Sequence, residues 1–335
     1  TLARLQKHGW REFYEGETAR RIAADMSANG GLITAEDMKG YRAAVVEPME
    51  TVYRGHKILT MPYSSSGGVV LLSALNTIEN FELKPGEEGS TRVRHLQAEA
   101  LRLGLKTRRQ VQDDLSLPIT EAVSKSYAKA SAGLISMDKA MEPDPVRAVR
   151  EESPDTTHFT VVDGDGNMVS NTYTLSGFYG SQAIARGTGV LLNNHMSVFA
   201  AYPRTMKGGT RYLSAMAPTF VMRPDGTPWL ALGTPGGMTI PSTIFQVISN
   251  VVDFKMSLRD AIEYPRIHFD QAQQRIESEP GALVLDVAER LKGMGHRLNP
   301  RLRAQGDVNA VSIEEGSGWR VGWADGRRGG AIKGF

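Results

Sequence analysis

The spacing of apolar and polar positions changes several times along the chain, and each change marks an element. Residues 2–29 carry helical periodicity, broken near Gly9 and again near Gly16, and Asn29-Gly30-Gly31 ends the run. Thr34-Ala-Glu-Asp37 is a helix-capping pattern with Asp in the place of the usual Glu. Val45 to Tyr53 and Lys57 to Thr60 read as strands meeting near Arg54-Gly55. Ser64-Ser-Ser-Gly-Gly68 is expected to be a loop feeding an apolar helix, Val69 to Ile78, and helical patterns continue through 90–108 and 119–132. A polar, proline-bearing connector then runs from Met141 to Asp155.

At Thr156 the period shifts to two. His158-Phe-Thr-Val-Val-Asp163 alternates as a strand, Gly164-Asp-Gly-Asn167 is a hairpin turn, and Met168 to Leu175 is the returning strand. Further strands are expected at 189–192, 218–222, 229–232, 266–270 and 310–323, with helices over Pro241 to Val252 and Leu283 to Lys292. Strand-rich stretches with helices before and between them predict a layered α+β fold. The chain shows no internal repeat and no low-complexity tract.

Composition narrows the function classes. The 335 residues suffice for one large domain or two ordinary ones, and 41% hydrophobic with 23% charged residues is a globular balance. Lys plus Arg number 39 against 37 Asp plus Glu, so neither nucleic acid nor an anionic membrane is the expected main partner. No apolar run reaches the ~18 residues of a membrane-spanning helix. Cysteine is absent, which removes disulfides, thiolate nucleophiles and cysteine-held metal clusters together. The chain has no GxSxG elbow, phosphate loop, HExxH pair or dinucleotide fingerprint. Its histidines (His8, His56, His95, His158, His195, His268 and His296) show no metal-ligand spacing. Neither a metal nor a nucleotide cofactor is therefore expected. Thr1 has no Met before it, and Leu2-Ala-Arg-Leu-Gln-Lys reads as the middle of an amphipathic helix, so a preceding segment is expected and the compartment is unreadable.

Asp155-Thr156-Thr157-His158 lies where the polar connector meets a buried strand. A threonine hydroxyl is a poor nucleophile unless a base stands beside it. Cutting the chain before the threonine supplies one, because the freed α-amino group has a pKa of about 7.7–8.0. The tetrapeptide alone also reads as an ordinary strand start with two β-branched residues.

The surrounding motifs bear on that choice. Thr156 to Asn167, Asn171-Thr-Tyr-Thr-Leu175, Gly187-Thr-Gly-Val-Leu-Leu-Asn-Asn194, Leu213-Ser-Ala-Met-Ala-Pro218 and Gly233-Thr-Pro-Gly-Gly237 occur in that order. Together they resemble the small subunit of the γ-glutamyltranspeptidase family. Gly16-Glu-Thr-Ala, Gly30-Gly-Leu-Ile-Thr-Ala-Glu-Asp37, Tyr53-Arg-Gly and Met61-Pro-Tyr-Ser-Ser-Ser-Gly-Gly68 resemble the second half of its large subunit, and Trp323-Ala-Asp-Gly-Arg-Arg328 through Phe335 resembles its terminus. The resemblance implies an N-terminal-nucleophile hydrolase with an αββα four-layer sandwich. Such a protein is made as one chain and cuts itself, here between Asp155 and Thr156. Residues 1–155 would then be the C-terminal part of the large subunit and 156–335 the small subunit, together one sandwich domain. No cofactor is implied. The implied partners are a small-molecule amide substrate and the two cleaved subunits themselves. Family members are often periplasmic or extracellular.

Carried over residue by residue, the resemblance makes Thr156 the nucleophile and Thr174 its hydrogen-bonding support. Gly236 and Gly237 would supply the backbone N–H groups of an oxyanion hole. Ser176, His195, Arg211 and Ser214 fall at substrate-binding positions. The family holds a glutamyl ammonium with an Asn, a Glu or Gln and an Asp where this chain has Ser176, His195 and Val198. Ser214 matches one family serine, Ala215 replaces the next, and the arginine that grips the α-carboxylate would lie before Thr1. The short stretch from Phe199 to Gly209 implies that the lid loop of some members is missing. Three readings follow: a γ-glutamyl hydrolase or transpeptidase, an amidase for non-glutamyl acyl groups such as oxamate or glutaryl cephalosporins, and an inactive fragment that keeps the fold.

Overall fold

A computed structural model of the chain describes residues 1–63, 65–112, 116–144, 155–197, 207–300 and 304–335. Helices and mainly antiparallel sheets alternate along it in an α+β fold. Two compact units form: Thr1–Glu47 with Thr174–Ser197, and Pro48–Tyr173 with Val198–Phe335.

In the first unit, the glycine breaks expected from sequence divide the opening run into α1 (Leu2–His8), α2 (Arg11–Glu15) and α3 (Glu17–Ala28). Glu12 holds these pieces together. Its carboxylate accepts from the Thr18 N–H at 3.0 Å, the Thr18 hydroxyl at 2.7 Å and Arg4 Nε at 2.9 Å. Helix α4 (Ala35–Gly40) begins in the anticipated capping box, with Thr34 Oγ1 accepting from the Asp37 N–H and Asp37 accepting from the Thr34 N–H. The remainder of this unit carries the short pair β5 (Ile184–Ala185) and β6 (Val190–Leu191). Arg21 and the Thr1 hydroxyl tether the intervening turn by bonding the Gly187 and Thr188 carbonyls.

The second unit is built on a six-stranded antiparallel sheet in the order β1-β2-β7-β8-β12-β13. Its strands are β1 (Met49–Tyr53), β2 (His56–Thr60), β7 (Thr219–Met222), β8 (Pro228–Gly233), β12 (Asn309–Ile313) and β13 (Arg320–Ala324). Arg54 and Gly55 both have positive φ, at 50° and 84°, which is the two-residue turn whose twist matches a hairpin. Helix α5 (Ser66–Ile78) is buried along its whole length, as its nearly unbroken apolar sequence demands. It packs against α6 (Thr91–Gln112) and α9 (Thr239–Val252). Leu71, Leu75, Leu101, Phe245 and Ile248 meet in that core, each contributing on the order of 1.5–3 kcal/mol through burial. A three-stranded sheet, β11-β10-β9, lies in the same unit and comprises β9 (Ile267–Asp270), β10 (Arg275–Ser278) and β11 (Leu298–Pro300). No helix among the described residues is long and apolar enough to cross a membrane.

Two of the predicted elements are divided in the structure. The predicted helix 119–132 is two helices, α7 (Ile119–Ala122) and α8 (Lys125–Ala132). Ser124 takes extended geometry between them and its hydroxyl caps the Tyr127 N–H, a local bond that competes with continuing the helix. The predicted strand 310–323 is the hairpin β12–β13, turned at 314–319 where Gly316 and Gly318 adopt positive φ.

Candidate active site

Strand β3 (Thr156–Val162) begins at the threonine singled out by sequence, and a turn at Asp163–Asn167 joins it to β4 (Met168–Thr174). Alternation along β3 leaves Thr157 and Phe159 exposed, buries His158, and half-buries Thr156 and Thr160. Thr156, His158 and Thr160 thus share a face, and β3 packs against β8 and β12.

His158 fixes that packing. A Cβ on Gly233 would lie 2.2 Å from His158 Cε1, so only glycine at the end of β8 admits the ring. Its Nδ1 is 2.8 Å from Thr172 Oγ1 and its Nε2 is 3.0 Å from Thr160 Oγ1. The Thr160 hydroxyl donates to the Asn309 carbonyl at 3.0 Å, so it accepts from the ring. His158 is therefore the Nε2–H tautomer, with Nδ1 accepting from Thr172. Burial holds its pKa down to about 4, keeping the imidazole neutral at pH 7. The sequence places His158 in the Asp155–His158 tetrapeptide and on the same strand face as Thr156, but its packing role depends on the Gly233 contact.

Gly233 leads into Thr234-Pro-Gly-Gly237. Gly236 and Gly237 are buried and have φ of 140° and 58°, a region that favours glycine. A Cβ on Gly236 would come within 2.5 Å of Thr239 Oγ1. The Gly236 carbonyl accepts from the Thr239 N–H and hydroxyl, and the Gly237 carbonyl accepts from the Ile240 N–H, so α9 starts directly from this loop. No backbone carbonyl among the described residues accepts from the Gly236 or Gly237 N–H. Two amides ahead of a helix N-terminus are suited to an oxyanion.

Ser214 is buried in the same unit, bridged to Ser65. Its carbonyl accepts from the Ser66 N–H at 2.6 Å and from the Ser65 hydroxyl at 2.9 Å. Its own hydroxyl accepts from the Met216 N–H at 2.9 Å. Arg211 is exposed.

The remaining expected site residues lie in the first unit and meet there. Thr174 Oγ1 accepts from the Ser176 N–H at 2.9 Å. Ser176 has a φ of 76°, a strained conformation for a residue with a Cβ. The next residue, Gly177, donates to Asn194 Oδ1 at 2.8 Å, and Asn194 N–H donates to the Leu175 carbonyl at 3.1 Å. Those bonds bring Ser176 beside the segment carrying His195, which is half-buried and whose pKa burial lowers. Val198 and most of the stretch from Phe199 to Gly209 lie outside the described residues, as do 151–154; Asp155 is described and half-buried.

The gamma-glutamyltranspeptidase family model matches residues 1–335. The glutathione hydrolase proenzyme of Escherichia coli (strain K12) is 34% identical over 332 residues, covering 93% of this chain and 57% of that protein. The acylase ACY 1 proenzyme of Pseudomonas sp. (strain V22) is 34% identical over 319 residues, covering 93% and 56%. The crystal structure of cephalosporin acylase from Bacillus halodurans matches with a TM-score of 0.86 at 28% identity, covering 97% of this chain and 60% of that one. The chain thus spans less than two thirds of the length of the relatives it matches.

Proposed function

Because this chain belongs to the gamma-glutamyltranspeptidase family, we propose that it carries the nucleophile of an autoprocessing N-terminal-threonine amidohydrolase with the αββα sandwich of such enzymes. Cleavage between Asp155 and Thr156 divides it into the C-terminal part of a large subunit, 1–155, and a small subunit, 156–335. The processing boundary follows the chemistry at Thr156 and is independent of the two packed units.

The freed α-amino group of Thr156 takes the proton of the Thr156 hydroxyl as the oxygen attacks the amide carbonyl. The N–H groups of Gly236 and Gly237 receive the oxyanion. Collapse of the intermediate expels the amine, which leaves with that proton, and water or an acceptor amine then releases the acyl group from the threonine ester. The family resemblance gives Thr174 the role of supporting the nucleophile and puts Ser176, His195, Arg211 and Ser214 at acyl-recognition positions.

One observation carries this reading. His158 lies two residues from the nucleophile in sequence, yet both its ring nitrogens are committed and burial makes it a weak base. That ring instead pins the head of β3 to Gly233, three residues before Gly236. This supports the α-amino group of Thr156 as the base for its hydroxyl.

The substrate is a γ-glutamyl-type or related small acyl amide. A second reading, an acylase for acyl groups without an α-ammonium, is favoured by the neutral His195 where a carboxylate or amide would hold that charge. Relatives named as acylases agree with it. Parallel assays with a γ-glutamyl anilide, oxamate and glutaryl amides decide between the two. Turnover of the γ-glutamyl compound alone removes the second reading. Turnover of none of them by a chain that has cut itself before Thr156 removes both.

A further inference from the structure

Three side chains from distant parts of the sequence converge inside the second unit. His95 and Glu99 stand one turn apart on α6, a spacing that puts them on one face of the helix. His296 lies just beyond α11 (Leu285–Gly293). Both α6 residues are fully buried and His296 nearly so. His95 Nδ1 is 2.7 Å from His296 Nε2, His296 Nε2 is 3.8 Å from Glu99 Oε1, and one ligand atom from each residue falls within 4.8 Å of the others. Histidine spacing in the sequence did not reveal the group, because one member is a glutamate and the two histidines are 201 residues apart.

The far nitrogen of His95 identifies the lone pair that faces the cluster. His95 Nε2 is 2.8 Å from the Ser136 carbonyl oxygen. A carbonyl only accepts, so Nε2 carries the hydrogen and Nδ1 is bare. A backbone carbonyl on the outer nitrogen is how proteins orient a metal-bound imidazole. Glu99 is braced likewise: Oε1 accepts from the Met141 N–H at 3.1 Å, while Oε2 takes no hydrogen bond and has Arg102 Nη1 at 3.7 Å. Oε1 is the oxygen that faces His296, and the Met141 N–H occupies only one of its lone pairs, which leaves the other open to an ion.

We infer that His95, Glu99 and His296 form a site for one divalent transition-metal ion of the zinc type, with water as the fourth ligand, tying α6 to the segment that follows α11. Two imidazoles and a carboxylate suit zinc or cobalt rather than calcium or magnesium. Tetrahedral ligation at about 2.1 Å sets ligand atoms roughly 3.4 Å apart. The 2.7 Å histidine pair opens towards that value, and the 3.8 Å glutamate contact closes towards it. The hydrogen now shared between His95 Nδ1 and His296 Nε2 gives way to the ion, and His296 carries its hydrogen on Nδ1. The positive charge of Arg102 beside Glu99 limits the affinity. None of the three ligands belongs to the candidate active site.

The test uses the purified chain, stripped with a chelator and titrated with Zn²⁺ or Co²⁺ alone. Tm is followed for both ions, and the visible d–d absorption of four-coordinate cobalt is followed for Co²⁺. One equivalent is expected to saturate each signal and to raise Tm by linkage. His296→Asn is expected to abolish the cobalt band. Glu99→Gln, which preserves side-chain shape if the histidine variant fails to fold, is expected to weaken binding roughly tenfold or more. A wild-type chain that shows neither signal overturns the inference, as do variants that titrate like the wild type; the cluster is then a hydrogen-bonded histidine pair.

Discussion

Gly233 and the His158 ring occupy space that admits a single side chain. Gly233→Ala forces the ring away from Thr172 and Thr160, and overpacking of this kind costs about 1–3 kcal/mol, read as a lower urea midpoint. The same ring makes stability depend on pH. Unfolded, it titrates near 6.5; folded, burial lowers it to about 4. Between those values the unfolded chain binds more protons at this ring, so its contribution to stability falls as pH drops through this window and levels off below it, by on the order of 3 kcal/mol in all. His158→Gln is expected to flatten that slope in urea titrations at successive pH values. A third expectation concerns Gly236. Alanine there must adopt a φ of 140° with its Cβ against Thr239 Oγ1. Displacing one oxyanion donor lowers kcat about 10²–10³-fold, so Gly236→Ala should lower turnover of the substrate found in the amide panel by that factor while the fold persists by circular dichroism.

At the level of elements, the end of the chain is fastened by a buried ion network. Arg266 and Asp325 pair at 2.7 Å with almost no exposure, and Arg327 bridges Asp325 and Glu279 at 2.9 and 2.7 Å. Asp325→Ala leaves Arg266 charged and unpaired, which costs about 3–5 kcal/mol. The exposed Glu17, paired with Arg20 and Arg21, supplies the control, since solvent screens those pairs and Glu17→Ala is expected to change stability far less. Calorimetry of both variants separates the two cases. These contacts also show where sequence reading stops. The alternation of β3 and β4, the apolar run of α5 and the Thr34–Asp37 cap were legible, because each is set by local spacing. Helix α10 (Leu258–Glu263) starts at a Ser257-Leu-Arg-Asp260 cap, in which the Ser257 hydroxyl accepts from the Asp260 N–H. Strands β10 and β11 show no clear alternation in sequence, and β11 pairs in parallel with β10 across the intervening helix α11. The match of Gly233 to His158, and of His95 to His296, depends on tertiary packing that no local period encodes.

Across the whole molecule, Thr156, Gly236, Gly237 and Ser214 stand in one unit, and Thr174, Ser176 and His195 in the other. Family membership rests on the match over residues 1–335; the structure adds a His158 whose ring nitrogens are both engaged and whose basicity burial lowers, which supports the proposal that Thr156 uses its own amine. The most direct test is N-terminal sequencing combined with intact mass on an active preparation. The account predicts fragments 1–155 and 156–335, a new N-terminus at Thr156, and a single uncut chain without turnover in Thr156→Ala. Full activity from a chain in which Thr156 is still bonded to Asp155 would contradict it.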